Sequence, residues 1–228
     1  LHQIFILNKN FDKYFKEYNF HKLYKELINF CSLDLSAFYF DIRKDTLYCD
    51  EIKSPKRQAC LNLLDLVLDM LLKWFAPILS FTTEEIYQIM QKDKNTSIHL
   101  QSFPIIPAKW ENNQLFEKWN KLKTIRDVVN AAIEVKRSSK DVGSSLEADI
   151  EIYLGEEYLK LVKDINLSEY FITSSAKVKP MVNNDKLFKL DNTVNVGILV
   201  KKALGKKCSR CWKILQNPCK RSNCGLKN

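Results

Sequence analysis

The chain has 228 residues, 46% of them hydrophobic, which is enough for one large domain or two to three small ones with a real core. It carries 36 basic against 27 acidic residues, and the excess is local: residues 201–228 hold nine Lys or Arg and no carboxylate, while the rest is balanced. No apolar run approaches the length that crosses a bilayer, no secretory signal opens the chain, and seven cysteines do not pair off into a secreted disulfide framework.

Taken in order, the first 110 residues read as helical. An aromatic-rich helix opens the chain, and a first residue of Leu1 in place of Met suggests a piece of a longer polypeptide. Leu23, Tyr24, Leu27, Ile28 and Cys31 form a helical stripe with Asn19 as its cap. Ser54-Pro55 signals another start, a capping hydroxyl followed by proline in the first turn. From there Cys60, Leu63, Leu64, Val67, Leu71 and Trp74 line one face up to Pro77. Thr82-Thr-Glu-Glu85 fits a capping box for a short helix ending near Met90. Residues 92–96 read as a polar loop, and residues 97–104 as extended, since Pro104 and Pro107 oppose helix.

A long helix is expected over residues 113–139, with Leu115, Trp119, Leu122, Ile125, Val129, Ala132 and Ile133 on its apolar side. Its cations Lys121, Arg126, Lys136 and Arg137 can pair with Glu117, Asp127 and Glu134 on a solvated face. The period then shifts to two: Ala148, Ile150, Ile152 and Leu154 alternate with Asp149, Glu151 and Tyr153, as in a half-buried strand. A short helix over 156–163, a strand over 170–173 and strand-like runs over 188–190 and 194–200 complete a small α/β unit.

The last segment carries the chemistry. Cys208-x2-Cys211 is a tight knuckle, and Cys219-x4-Cys224 is a looser second pair seven residues on. Four thiolates so close in sequence suit a single tetrahedral zinc ion, and bound metal would supply folding energy to a module too small for a core. No histidine is near, so the ligands read as Cys208, Cys211, Cys219 and Cys224. Cys31 and Cys60 read as small buried apolar side chains. Arg210 and Trp212 flank the second ligand. An arginine beside an indole suits a phosphate and an unstacked base, although Trp212 could equally be a lid over the sulfurs. Lys206, Lys207, Lys213, Lys220 and Arg221 fit non-specific phosphate attraction. With five glycines the chain offers no phosphate loop or dinucleotide fingerprint. Neither a nucleophile elbow nor an HExxH motif is present, and Glu84-Glu85 reads as helix capping rather than acid catalysis.

Residues 34–48 (Asp-Leu-Ser-Ala-Phe-Tyr-Phe-Asp-Ile-Arg-Lys-Asp-Thr-Leu-Tyr) resemble the anticodon-binding region of the bacterial isoleucyl-tRNA synthetases. So do residues 19–22, 75–86, 97–104, 126–130, 143–148 and 172–175, and the knuckle Lys207-Cys-Ser-Arg-Cys-Trp212, in that order. The helical half alone would also suit valyl- or leucyl-tRNA synthetases; the terminal knuckle favours the isoleucine family. The resemblance departs at the second cysteine pair, where the family usually has two intervening residues and a longer stretch between pairs.

The resemblance implies the tRNA-binding part of a class I ligase, with ATP bound only in a catalytic domain outside this chain, whose two signatures are absent here. It implies a mainly α fold: a helical-bundle anticodon-binding domain over 1–110, a long helix with a small α/β junction over 111–200, and a zinc finger over 201–228. One zinc per chain, an isoleucine-accepting tRNA as partner, a monomeric state and a cytoplasmic setting follow. Arg210, Trp212, Lys206, Lys207 and Lys213 are the residues expected to meet tRNA. Two other classes stay open on sequence: a zinc-finger DNA-glycosylase-like protein, whose catalytic amine Leu1-His2 does not supply, and a zinc scaffold that binds protein.

Overall fold

Apolar residues at helical spacing build the first half of the architecture, which is that of a computed structural model describing residues 1–91, 95–219, 221 and 224. Helix dominates, as expected of a mainly α chain. The polar loop over 92–96 lies partly outside the described residues, as does Lys220. The described chain divides into two compact units: residues 1–43 with 52–113, and residues 44–51 with 114–228.

In the first unit α1 (His2–Lys16), α2 (Phe20–Asn29), α4 (Pro55–Phe75) and α5 (Ser80–Met90) supply the core. The Asn19 carboxamide accepts from the Lys22 N–H at 3.4 Å, the cap expected from the sequence. Between α2 and α3 (Asp41–Cys49) the backbone widens into a π-helical stretch, Phe30–Phe40. Its two buried residues, Phe30 and Leu35, are five apart, the spacing of the i→i+5 hydrogen bond. Ile4, Leu7, Phe11, Leu23, Leu27, Val67, Met70, Trp74 and Phe75 close the core around them. Phe103 meets Phe11 and Phe15 edge-on, each at 4.9 Å between ring centres, and the Trp74 indole N–H donates to Asn8 at 3.2 Å.

The expected capping box is displaced. α5 begins at Ser80, so Thr82 to Glu85 lie inside it, and the Thr83 hydroxyl bonds back to the Leu79 carbonyl. Glu84 reaches across to accept from the Ser97 hydroxyl at 2.8 Å and the Ile98 N–H at 2.9 Å. It thereby caps a short 3₁₀ turn, Ile98–Leu100, in a stretch expected to be extended.

The second unit is built on α6 (Asn113–Ser138), which buries Leu122, Ile125, Val128, Val129, Ala132 and Ile133. Leu115 and Trp119 lie short of that buried stretch, with Leu115 exposed. Arg126, expected on the solvated face, is instead buried: it donates to the Tyr170 carbonyl and lies over the Tyr170 ring at 5.5 Å. Of the expected helix pairs, Arg137–Glu134 forms at 2.8 Å, whereas Lys136 turns to Asp141 at 2.9 Å.

Strand β1 (Ala148–Leu154) sits centrally in a three-stranded sheet of order β2-β1-β3. It pairs parallel with β2 (Ser175–Pro180), Ile150 opposite Ala176, and antiparallel with β3 (Val196–Lys202), Ile152 opposite Ile198. Ile150, Ile152, Leu154 and Ile198 are essentially inaccessible. α7 (Glu156–Val162) and α8 (Leu167–Tyr170) cross from β1 to β2. The strand expected over 170–173 does not form: the Asn166 side chain accepts from the Glu169 N–H and starts a helical turn there. Ile172, at φ 57°, then turns the chain into β2. The run over 188–190 makes a single bridge, Phe188 to Ile198, and β3 starts at Val196 because Asn195 holds a left-handed conformation, φ 63°. A two-stranded hairpin of β4 (Lys206–Lys207) and β5 (Ile214–Leu215) ends the regular structure.

Candidate metal centre and nucleic-acid interface

The hairpin presents the knuckle. Gly205 enters β4 at φ 135°, and a Cβ there would collide with the Leu215 carbonyl, so only glycine lets the two strands close. Between the strands the Cys208 N–H donates to the Lys213 carbonyl at 2.9 Å and the Trp212 N–H to the Cys208 carbonyl at 3.0 Å. Trp212 itself takes φ 62°, which tightens the turn. The body of the unit holds the hairpin through Ser174, whose hydroxyl accepts from the Ile214 N–H at 2.7 Å and donates to the Leu146 carbonyl at 2.5 Å.

This turn gathers the four expected ligands. The sulfurs of Cys208, Cys211, Cys219 and Cys224 all lie within 4.8 Å of one another. Tetrahedral sulfurs at a metal–sulfur length of about 2.3 Å stand about 3.8 Å apart, so the cluster needs only a small contraction. The group could hold a metal ion: its donors are all thiols, and Cys211 and Cys224 are buried. Burial alone would push the Cys208 thiol up, but the N–H groups of Cys211 and Arg210 aimed at its sulfur bring it down to about 7. Burial raises Cys211 to about 11 and carries Cys224 higher still. A cation entering this cluster therefore displaces protons as it binds.

Contacts from far away in the chain surround the cluster. Cys49, at the end of α3, packs against Cys211 and Cys224 and points its thiol at the Arg210 carbonyl, 3.9 Å away. Arg210 donates to the Tyr48 carbonyl at 2.7 Å. The Arg221 guanidinium meets both oxygens of Asp45, at 2.7 and 2.5 Å, with Asp50 at 3.5 Å. Burial opposes ionisation of Asp45, yet the Arg221 hydrogen bonds and charge hold its carboxyl below the usual range. The carboxylates absent from the tail are supplied here by α3, and elsewhere by Glu147 to Lys207 at 3.5 Å and Glu151 to Lys201 at 2.8 Å.

The expected nucleic-acid residues are placed unevenly. Trp212 is 60% exposed, so its ring does not close over the sulfurs. Arg210 is exposed while anchored to Tyr48. Lys206 is exposed and Lys213 half-buried, and neither forms an ion pair among the described residues; Lys207 is engaged by Glu147. Cys60 is buried and Cys31 half-buried, both in the first unit. Asp45 and Tyr48 fall in the 34–48 segment of the family resemblance and Cys49 and Asp50 just beyond it, but none of the four was expected at the site, because nothing local to α3 signals partners some 160 to 176 residues away. Glu147 and Ser174 did fall in segments of the family resemblance, and their bonds show what those segments do: they seat the hairpin.

Comparison with known proteins adds the lineage. A family model described as the anticodon-binding domain of tRNA ligase matches residues 1–152. The isoleucine–tRNA ligase of Pelagibacter ubique is 48% identical over 221 residues, 97% of this chain and 23% of that protein. That of Rhodopseudomonas palustris is 39% identical over 221 residues, 95% of this chain and 22% of its own length. That of Bradyrhizobium diazoefficiens is 44% identical over 191 residues, 83% and 19% respectively. The chain thus spans less than a quarter of the length of these relatives.

Proposed function

Because the chain belongs to the anticodon-binding domain family of tRNA ligases, we propose that it is the tRNA-gripping part of an isoleucine–tRNA ligase acting in the cytoplasm. Such a ligase joins isoleucine to its tRNA at the expense of ATP, and that chemistry is assigned to portions of the enzyme other than this chain. The partner is the isoleucine-accepting tRNA, bound by a monomer. The three working parts are the bundle over 1–110, the long helix and α/β junction over 111–200, and the finger over 201–228. No described helix is long and apolar enough to cross a membrane.

The observation that carries the reading is the exposed Trp212, one residue beyond the buried Cys211 on the hairpin turn. A lid over the sulfurs would be buried; a ring at 60% exposure is available to an unstacked base. The metal is proposed to be zinc, held by Cys208, Cys211, Cys219 and Cys224, because a four-thiol set in tetrahedral reach is its characteristic structural site. When bound it supplies the cross-link that keeps the hairpin shut. Lys206, Lys207 and Lys213 then draw phosphates without reading sequence, and Arg210 and Trp212 orient the loop bases.

Titrating the zinc-loaded protein with isoleucine tRNA at rising salt tests this. Affinity should fall log-linearly with salt, and Trp212→Ala should bind about five- to hundred-fold more weakly. Equal affinity for wild type and variant, or tighter binding to abasic duplex DNA than to the tRNA, would overturn it.

A further inference from the structure

The end of α3 and the knuckle together form a surface that neither makes alone. Tyr48 lies in the last turn of α3, 71% exposed, and its carbonyl takes the Arg210 hydrogen bond. Two residues beyond Arg210 stands Trp212, the other exposed ring of the region. A single bond thus ties two solvent-facing aromatics to opposite ends of one arginine. Of the acids next to Tyr48 in sequence, Asp45 and Asp50 are committed to Arg221. Lys206, on β4 of the hairpin, is an exposed cation.

We propose that Tyr48 is a second base-stacking residue, so that α3 and the knuckle bind an unstacked nucleobase and its flanking phosphate in a single-stranded RNA loop. The inference rests on the tRNA-binding reading above but extends it to an element that carries no cysteine ligand of the cluster. A tyrosine ring suits the task because every base offers a π-face, and only two side-chain torsions are ordered on stacking. Its exposure also excludes a packing role: a ring that is mostly in water contributes little to the core. Arg210, held by the Tyr48 carbonyl, keeps further N–H groups for a phosphate oxygen. Tyr48 thereby positions the arginine through its backbone and the base through its side chain.

The test uses the full polypeptide with its metal bound, and an anticodon stem-loop RNA carrying a fluorescent purine analogue in the loop. Tyr48→Ala should weaken loop binding about five- to hundred-fold and abolish part of the fluorescence quenching that stacking produces. Tyr48→Phe, which keeps the ring and the same backbone carbonyl, should match wild type. Metal content and melting temperature should be unchanged in both. If Tyr48→Ala melts early, Tyr48→Leu, which keeps an apolar body but no ring, carries the comparison. Should the ringless variants bind and quench like wild type while Trp212→Ala is impaired, the Tyr48 assignment falls and the tRNA-binding reading stands. Should wild type itself fail to bind the loop, both fall.

Discussion

Glu151 shows how one side chain can organise a sheet surface. Its carboxylate meets Lys179 on β2 and Lys201 on β3, each at 2.8 Å, with the Tyr153 hydroxyl at 3.0 Å. The hydrogen bonds from Lys179 and Lys201 hold its carboxyl down at about 2. An unfolded glutamate titrates near 4.3, so between those values the unfolded chain binds more protons. The contribution is complete above about pH 4.3 and is lost as pH falls toward 2. Glu151→Gln should therefore lower the melting temperature at neutral pH and flatten its dependence on pH over that acid window. A thermal melt series across the window measures both. An unchanged acid limb would mean that the pairs are too well solvated to matter. The alternation that puts Glu151 opposite Ile150 and Ile152 was plain in the sequence; its two lysine partners, 28 and 50 residues away, were not.

Among the elements, α6 gave up most of itself to pattern reading and withheld one decisive residue. Its length and the burial of Leu122, Ile125, Val129, Ala132 and Ile133 follow from apolar periodicity. Arg126 does not, because charge argues for solvent and only the arrival of α8 reverses that. The guanidinium serves the Tyr170 carbonyl at the end of α8, where a short helix leaves such groups unsatisfied, and Trp119 adds its ring at 5.6 Å from that of Tyr170. Arg126→Ala should destabilise the unit by roughly 1.5–3 kcal/mol, the worth of a hydrogen bond to a charged donor, readable in a urea melt. A change below about 0.5 kcal/mol would show that water replaces the bond. The strand expected over 170–173 fails for a related reason: Tyr170, Phe171 and Thr173 suit strands by composition, but the Asn166-capped turn of α8 runs to Tyr170 and Ile172 then takes a left-handed conformation. The π-helical stretch had no signal at all, since apolar residues at 30 and 35 fit several periods equally.

At the scale of the whole chain, the contacts of the cysteine cluster extend beyond its four sulfurs. Spacing alone grouped Cys208, Cys211, Cys219 and Cys224, whose sulfurs the fold brings together, because such sets are local in sequence. It could not find that residues 44–51, inserted between two stretches of the first unit, belong with the second. Thr46 bonds Glu169 at 3.3 Å, while Asp45 and Tyr48 take up Arg221 and Arg210. Stripping the proposed zinc should therefore raise hydrogen exchange at residues 44–51 as well as in the β4–β5 hairpin, while β1 stays protected. Exchange measured with and without a chelator checks it. Protection of 44–51 that ignores the chelator would mean that the arginine anchors outlast the sulfur cluster.

The Asp45–Arg221 pair joins residues 176 positions apart. At about 5–20 residues per second, a ribosome needs roughly 9 to 35 s to travel from one to the other. Throughout that interval the nascent chain exposes a half-finished helix end bearing two acids and a thiol. Its completion awaits Arg221 and the cysteines on either side of it, so translation order sets this joint well after the helix that begins it.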